Sequence, residues 1–420
     1  MLDLKFIREN QAELKKAIEQ KNESLNLDEL LKCDEKLLEL KKKEQDLKTQ
    51  KNQVSKQIPS ADPDKRGELI AEGKAIGAKI DEIKPKLQAL SEELEGHMLQ
   101  VPNIPSSESP LGKDESDNVE IKKWGELPSF SFAPKDHVEI LQKNNWADFE
   151  KVGEVCGSRS YSLRNEMVLL EMAIHRFAME KLIAKGFNLV SAPSLVREKA
   201  LLGTGHFPKG RDQVYFLPED NLYLSGTSEV QMNSFHSGDI LDEDKLPILY
   251  AGYSSCFRRE AGSYGRDVRG LIRVHQFMKV EQYVICKNDY EESHKMHQML
   301  LATSEEIMQD LNLPYRIVEC CTGDMGTGKY RMFDIEAWVP SEEKYRETHS
   351  ASNLGEWQAR RTNTRYRTKE GDVKHVHTLN NTAVATPRLL VPFIEVHQTE
   401  EGKIKIPEKL RAFMGGKELI

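Results

Sequence analysis

At 420 residues the chain is too long for one ordinary domain, and two are expected. It is 38% hydrophobic and 30% charged, which suits a soluble globular protein with a sizeable core. The net charge of -8 argues against indiscriminate nucleic-acid binding but leaves room for a local basic stripe. The cysteines (Cys33, Cys156, Cys256, Cys286, Cys320 and Cys321) form neither a C-x-x-C pair nor a zinc-ligand spacing. Met1–Lys5 opens no signal peptide and no run is long enough to span a bilayer. A cytoplasmic protein with reduced thiols and no membrane partner is expected.

Residues up to about Gln100 are rich in Lys, Glu, Leu and Gln and hold no Trp or Tyr. Cys33, Leu40, Leu47 and Val54 recur every seven residues, with Leu37 in a partial second row. Ile58-Pro59-Ser60-Ala61-Asp62-Pro63 then breaks the pattern. A second set follows, with Leu69, Ile76, Ile83 and Leu90 in one row and Ile80, Leu87 and Leu94 in another. Two apolar seams joined by a short Pro-containing turn predict an antiparallel helical hairpin that projects into solvent, kinked at Pro85. Periodicity alone favours an oligomerisation coiled coil. Lys41, Lys42, Lys43, Lys48, Lys51 and Lys56, opposed only by Glu44 and Asp46, tilt the reading toward an arm that tracks a phosphate backbone.

Val101 to Pro110 reads as a linker, with three prolines and three serines. Beyond it, strand-like runs are expected at Asn188–Ala192, Leu246–Gly252, Gln282–Cys286, Tyr315–Cys320 and Phe333–Val339. Helices are expected over Asn165–Lys185 and Tyr290–Leu311. Strands without regular β-α alternation predict an antiparallel sheet flanked by helices, so the fold class is α+β.

Several motifs are decoys. Gly323 to Tyr330 nearly matches a P-loop, but Tyr330 stands where the magnesium-binding hydroxyl belongs and no parallel βαβ context supports it. Gly203-Thr204-Gly205-His206 is too short for a dinucleotide loop. His294 and His297 lie one helical turn apart with no third ligand evident, which reads as surface histidines. The informative stretch runs from Cys256 to Glu281. There a Gly-bearing basic loop sits between two apolar-patterned arms, as in a hairpin whose tip meets an anion; the bland alternative is a salt-bridged surface hairpin.

This stretch, Cys256-Phe257-Arg258-Arg259-Glu260-Ala261-Gly262-Ser263 through Arg273-Val274-His275-Gln276-Phe277-Met278-Lys279-Val280-Glu281, resembles motif 2 of class II aminoacyl-tRNA synthetases, in the form typical of the seryl-tRNA synthetase family. Tyr223 to Val230 resembles the family's T-x-E segment. Glu347-Thr348-His349-Ser350-Ala351-Ser352-Asn353 with Gln358-Ala359-Arg360-Arg361 resembles its E-x-S-S-C-S-N…Q-A-R-R block. Leu379 to Arg388 resembles motif 3, and Phe187 to Val196 resembles motif 1. The resemblance covers essentially the whole chain. It implies a tRNA-binding helical-hairpin arm over residues 1–100, a linker over 101–115 and a class II catalytic domain over 116–420.

The resemblance also implies the chemistry. L-serine is activated with ATP, and the seryl group then passes to tRNA(Ser); charging of tRNA(Sec) stays open. Arg258, Arg388 and Glu347 are the implied catalytic residues. Arg258 would bridge the α-phosphate and the substrate carboxylate, while Arg388 would clamp the γ-phosphate. Arg259, Glu260, Phe277, Thr348, His349 and Ser350 complete the implied ATP site, with Phe277 under the adenine and Glu260 near its exocyclic amine. Glu347 and Ser350 would bind Mg2+, a hard cation that prefers oxygen. Thr227, Ser228 and Glu229 would meet the backbone of serine, and Glu281 and Thr382 its hydroxyl. Lys41, Lys42, Lys43, Lys48 and Lys51 would meet the tRNA, carried by a homodimer.

Three departures from the family pattern stand out: Arg259 for Ser or Gln, His349 and Ala351 for Ser and Cys, and Thr386-Pro387 ahead of Arg388. The alternatives are an aminoacyl ligase that loads a carrier protein, whose relatives generally lack the N-terminal arm, and a tRNA-binding protein that has lost catalysis.

Overall fold

A computed structural model of the chain describes residues 1–262, 265 and 269–420. Part of the basic loop therefore lies outside the described residues, namely Ser263, Tyr264, Arg266, Asp267 and Val268. The chain divides into two compact units. One holds Asp3–Ile18 and Glu23–Val101; the other holds Met1–Leu2, Glu19–Asn22 and Pro102–Ile420.

The first unit is helical. Its two long helices, Leu27–Gln57 and Pro63–Met98, are joined by the 3-10 turn Ile58–Ser60. At about 1.5 Å per residue they run for roughly 45 and 55 Å. Asn26 caps the first by accepting the Glu29 N–H, and Pro63 starts the second where its missing donor does no harm. Cys33, Leu37 and Val54 are buried against Ile76, Ile80, Ile83 and Leu94, whereas Leu40, Leu47, Leu69, Leu87 and Leu90 are only half-buried. A seam between two helices covers its rows incompletely.

Two shorter helices precede the pair, Leu4–Glu9 and Gln11–Gln20, and the heptad reading missed both. Asp3 caps the first, and Ile7, Leu14, Ala17 and Ile18 are buried. Arg8 grips Asp34 with two hydrogen bonds, 2.6 and 2.8 Å.

The second unit is built on an eight-stranded sheet. Its order is Val119–Trp124, Tyr315–Glu319, Arg331–Val339, Lys344–Gly355, His377–Thr386, Gln276–Cys286, Ile248–Phe257 and Asn188–Ser191. Every pairing is antiparallel except the last, where Asn188–Ser191 runs parallel to Ile248–Phe257. The helices Glu166–Ala184 and Tyr290–Asp310 pack on one face over a core that includes Val280, Val284, Ile335, Leu379 and Val384. No described helix is long and apolar enough to cross a membrane.

The structure corrects two expectations. Residues 101–110 are not a free linker: Val101, Pro102, Asn103, Ser106 and Ser109 are buried. The Asn103 amide donates to the carbonyls of Gly328 and Leu354, and its N–H to Thr327. His297 is not a surface histidine; it is fully buried beside the Phe333 ring, while His294 is exposed. Its place follows from helical spacing, since Ser293, His297, Leu300, Leu301, Ser304 and Ile307 form the buried stripe of their helix.

The near-P-loop has the wrong polarity for a phosphate. The carbonyls of Gly326, Thr327 and Lys329 all turn toward the buried Lys21 Nζ, so this loop presents acceptors rather than the N–H donors a phosphate needs.

Candidate active site

The strand Gln276–Cys286 sorts its side chains by alternation. Val280, Val284 and Cys286 enter the core, leaving Phe277, Lys279 and Glu281 for the opposite face. Opposite them in the neighbouring strand stand Cys256, Ser254 and Gly252. On this second face a cleft opens, lined among others by Arg258, Glu260, Phe277, Lys279, Glu347, Thr348, Thr382 and Arg388. Arg258 and Arg388, 130 positions apart in the chain, thus share one cavity.

Two β-bulges shape the cleft. Pairing shifts between Val280 and Glu281, which leaves Ala383 as the extra residue of His377–Thr386. It shifts again between Ile335 and Glu336, which leaves Thr348 as the extra residue of Lys344–Gly355. A bulge re-aims the side chains beside it, and here those are Thr382 and Glu347. His349 joins the two. Its Nε2 lies 3.1 Å from the Ala383 carbonyl and must carry the proton, so Nδ1 faces the Thr348 hydroxyl at 2.8 Å as an acceptor, sharing that proton with the Ile335 carbonyl at 3.1 Å. Burial lowers its pKa to about 4, and the ring is neutral at pH 7.

The cationic rim is well defined. The Arg258 guanidinium lies 5.2 Å from the centre of the Phe277 ring, within cation–π range. Gly226 leaves room for it, since a Cβ there would sit 3.4 Å from the Arg258 side chain. Arg388 reaches the Ile272 carbonyl and pairs with Glu347 at 3.3 Å. Two residues earlier, the buried Thr386 hydroxyl donates to Glu171 at 2.7 Å and faces His175 Nε2 at 2.6 Å. Arg273 pairs with Glu260 at 2.8 Å.

Three carboxyl groups, Glu281, Glu229 and Asp334, are buried and do not themselves line the cleft. Glu281 pairs with Lys279 at 2.6 Å, and the Thr382 hydroxyl lies 3.5 Å from the same carboxylate. Burial pushes the Glu281 carboxyl up; Lys279 pulls it back only in part, so it stays above the usual range. Burial also pushes Glu229 up, but Lys329, His206 and the Gln358 amide at 2.7 Å outweigh it, and its net shift is downward. Asp334, the strand partner of Ser350, is pushed well up by burial and by the charge of Glu347.

The remaining sequence-predicted residues take other places. Arg259 is exposed and does not line the cleft; its backbone N–H bonds Gln213. His349 lies behind the wall as the pin just described. Half-buried Ser350 hydrogen-bonds Asp334. Ser228 is fully buried and gives its hydroxyl to the Gly252 carbonyl at 3.0 Å. A Cβ at Gly252 would strike that hydroxyl at 2.4 Å, so glycine is required there. Thr227 accepts the Glu229 N–H at 3.2 Å. Lys41, Lys42, Lys43, Lys48 and Lys51 are all exposed on the helical unit. Sequence reasoning missed Lys279, although its alternation with Phe277 and Glu281 was a usable signal. It also missed Arg273 and the Glu171–Thr386–His175 contact, which joins segments no local pattern relates.

The chain is similar to known proteins over its whole length. Residues 216–397 match the tRNA synthetase class II core domain (G, H, P, S and T), and residues 1–105 match the seryl-tRNA synthetase N-terminal domain. A serine–tRNA ligase of Deinococcus radiodurans is 51% identical over 420 residues, covering 100% of this chain and 99% of that protein. Seryl-tRNA synthetase of Pyrococcus horikoshii, solved in complex with ATP, superposes with a TM-score of 0.91 at 37% identity, over 100% of this chain and 99% of that one. A cytoplasmic serine–tRNA ligase of Naegleria fowleri with AMP gives 0.88 at 28% identity, over 100% and 98%.

Proposed function

Since the chain belongs to the seryl-tRNA synthetase family of class II aminoacyl-tRNA synthetases, we propose that it activates L-serine with ATP and transfers the seryl group to tRNA(Ser). The observation that carries this reading is the convergence of Arg258 and Arg388 on one cleft that Lys279, ion-paired with the buried Glu281, also lines.

In the first step the serine carboxylate attacks the α-phosphorus of ATP and pyrophosphate leaves. Arg258 bridges carboxylate and α-phosphate, neutralising charge that builds between them, and Arg388 holds the γ-phosphate end. Phe277 supports the adenine and Glu260 meets its amino group. In the second step the terminal ribose hydroxyl of the tRNA takes the seryl group from the adenylate and AMP departs. Serine is selected by its hydroxyl, which Glu281 accepts and Thr382 donates to. A ligand without that hydroxyl leaves a buried acceptor unpaired. Thr227 and Glu229 hold the ammonium end.

The donor set at the rim fits Mg2+. Glu347 and Ser350 offer oxygen ligands, and Asp334 behind them keeps a buried oxygen, Oδ1, without a hydrogen bond. No group of three His, Cys, Asp or Glu among the described residues forms a self-contained cage, as suits an ion that draws ligands from phosphates and water. Bound there, Mg2+ would offset charge on the leaving phosphates.

The exposed lysines of the long helices support tRNA binding through shape and backbone, tRNA(Sec) included where it shares that shape. A homodimer is supported by exposed Leu169 and Met172 on the helix Glu166–Ala184 and by the neighbouring edge strand Asn188–Ser191, where Leu189 is exposed. ATP–pyrophosphate exchange across a panel of amino acids tests the reading. Exchange with serine alone is expected, and preference for another amino acid, or none, overturns it.

A further inference from the structure

Lys279 touches no substrate in the scheme above, yet its place in the cleft is unusual. Its side chain is 7% exposed and that of Glu281 is 3% exposed, and their charged atoms lie 2.6 Å apart. They stand two residues apart on one strand, so backbone geometry holds both on the cleft face. Removing an ion pair this far from water is costly unless each charge compensates the other. We propose that Lys279 is a positioning residue that keeps Glu281 ionised and oriented, and so sets the selection of serine by its hydroxyl. The inference rests on the proposed hydroxyl pocket.

The chemistry explains why ionisation matters. The serine hydroxyl has one proton to give, and Thr382, 3.5 Å from Glu281, supplies a donor to its oxygen. A carboxylate accepts the serine proton and completes both bonds. A protonated Glu281 would accept only through its carbonyl oxygen, more weakly than a carboxylate, and its own proton would compete with Thr382 for the serine oxygen. It would also lose less when alanine binds, because an unpaired neutral carboxyl is less costly than an unpaired charge.

Other groups near the pair do not replace Lys279. Glu229 adds a second negative charge and opposes ionisation of Glu281, and Lys329 acts on Glu281 more weakly than Lys279 does. On the facing strand, Cys256 is fully buried and its thiol is pushed up by burial, while Arg258 is at the exposed rim.

The test compares Lys279→Gln, Lys279→Arg and Glu281→Gln in ATP–pyrophosphate exchange. Lys279→Gln is expected to raise KM for serine about tenfold or more, with KM for ATP within about twofold and with weaker discrimination against alanine. Its serine KM should become pH-dependent and fall as pH rises, since burial raises the Glu281 carboxyl and Lys279 no longer opposes that. Lys279→Arg should restore both value and pH profile. An unchanged serine KM in Lys279→Gln, a pH-independent increase, or an effect confined to ATP overturns the inference. Glu281→Gln separates the two claims. If it keeps a normal serine KM, the hydroxyl pocket itself fails; if it is crippled while Lys279→Gln is normal, only the role of Lys279 fails. Should Lys279→Gln not fold, the native protein still decides. Its serine affinity should be flat from pH about 7 to about 8, and a gain of affinity as pH rises across that range overturns the proposal.

Discussion

The helical unit and the sheet unit encode their work in opposite ways. The paired helices Leu27–Gln57 and Pro63–Met98 repeat one pattern, buried seam against exposed lysines, so each position carries little and the sum carries much. In the sheet unit, by contrast, single atoms decide. The cleft depends on two bulges one residue long, on Gly252 making room for Ser228, and on one buried pair, Lys279–Glu281. The first should degrade gradually under substitution and the second abruptly.

The largest effects should therefore come from the cleft. Arg258→Ala or Glu281→Ala is expected to cut serine-dependent exchange by about a thousandfold, the scale seen when a central charge-stabilising group is removed. Unchanged circular dichroism would show that the fold survives, and near-normal exchange would remove either residue from the site. Next comes deletion of Leu31–Leu94 with a short Gly/Ser bridge. Exchange should persist while aminoacylation falls by about a hundredfold or more, because the lysines proposed to neutralise tRNA phosphates go with the helices. Equal loss of both activities would mean that the helical unit is structural.

Within the helices the change should be shallow. Replacing Lys41, Lys42 and Lys43 by alanine should weaken tRNA binding about tenfold and flatten its log–log salt dependence by about 0.9 for each phosphate left unneutralised. A salt slope equal to the parent's would assign those lysines to a merely solvated face. The smallest effect is expected at His349→Leu, which fills the space but unpins the bulges. A rise of about threefold in KM for both ATP and serine is expected, since each bulge carries one of the proposed subsites. A rise for one substrate alone would break the link through His349.

The two units also differ in how far the sequence alone reveals them. Seven-residue spacing is enough for the helical pair, because a coiled seam is local and repetitive. It is not enough for Leu4–Glu9 and Gln11–Gln20, which are shorter than any heptad pattern can register. Proline and serine in residues 101–110 suggest a linker, but the Asn103 amide anchors that segment to two carbonyls far along the chain. In the sheet unit the strands are legible by composition, while the cleft is not. Arg258, Glu347 and Arg388 meet only through strand order, and it is family resemblance that groups them. The bulge at Ala383 and the burial of His349 have no sequence signal. Lys279 does have one, in its alternation with Phe277 and Glu281.

The central claim is that a single cavity grips nucleotide and amino acid together. A crystal structure with the sulfamoyl analogue of seryl-adenylate tests that most directly. The expected result has the Arg258 guanidinium on the sulfamoyl linkage, Phe277 beneath the adenine and the Glu281 carboxylate hydrogen-bonded to the serine hydroxyl. An analogue bound away from Arg258, or with its hydroxyl turned from Glu281, would contradict it.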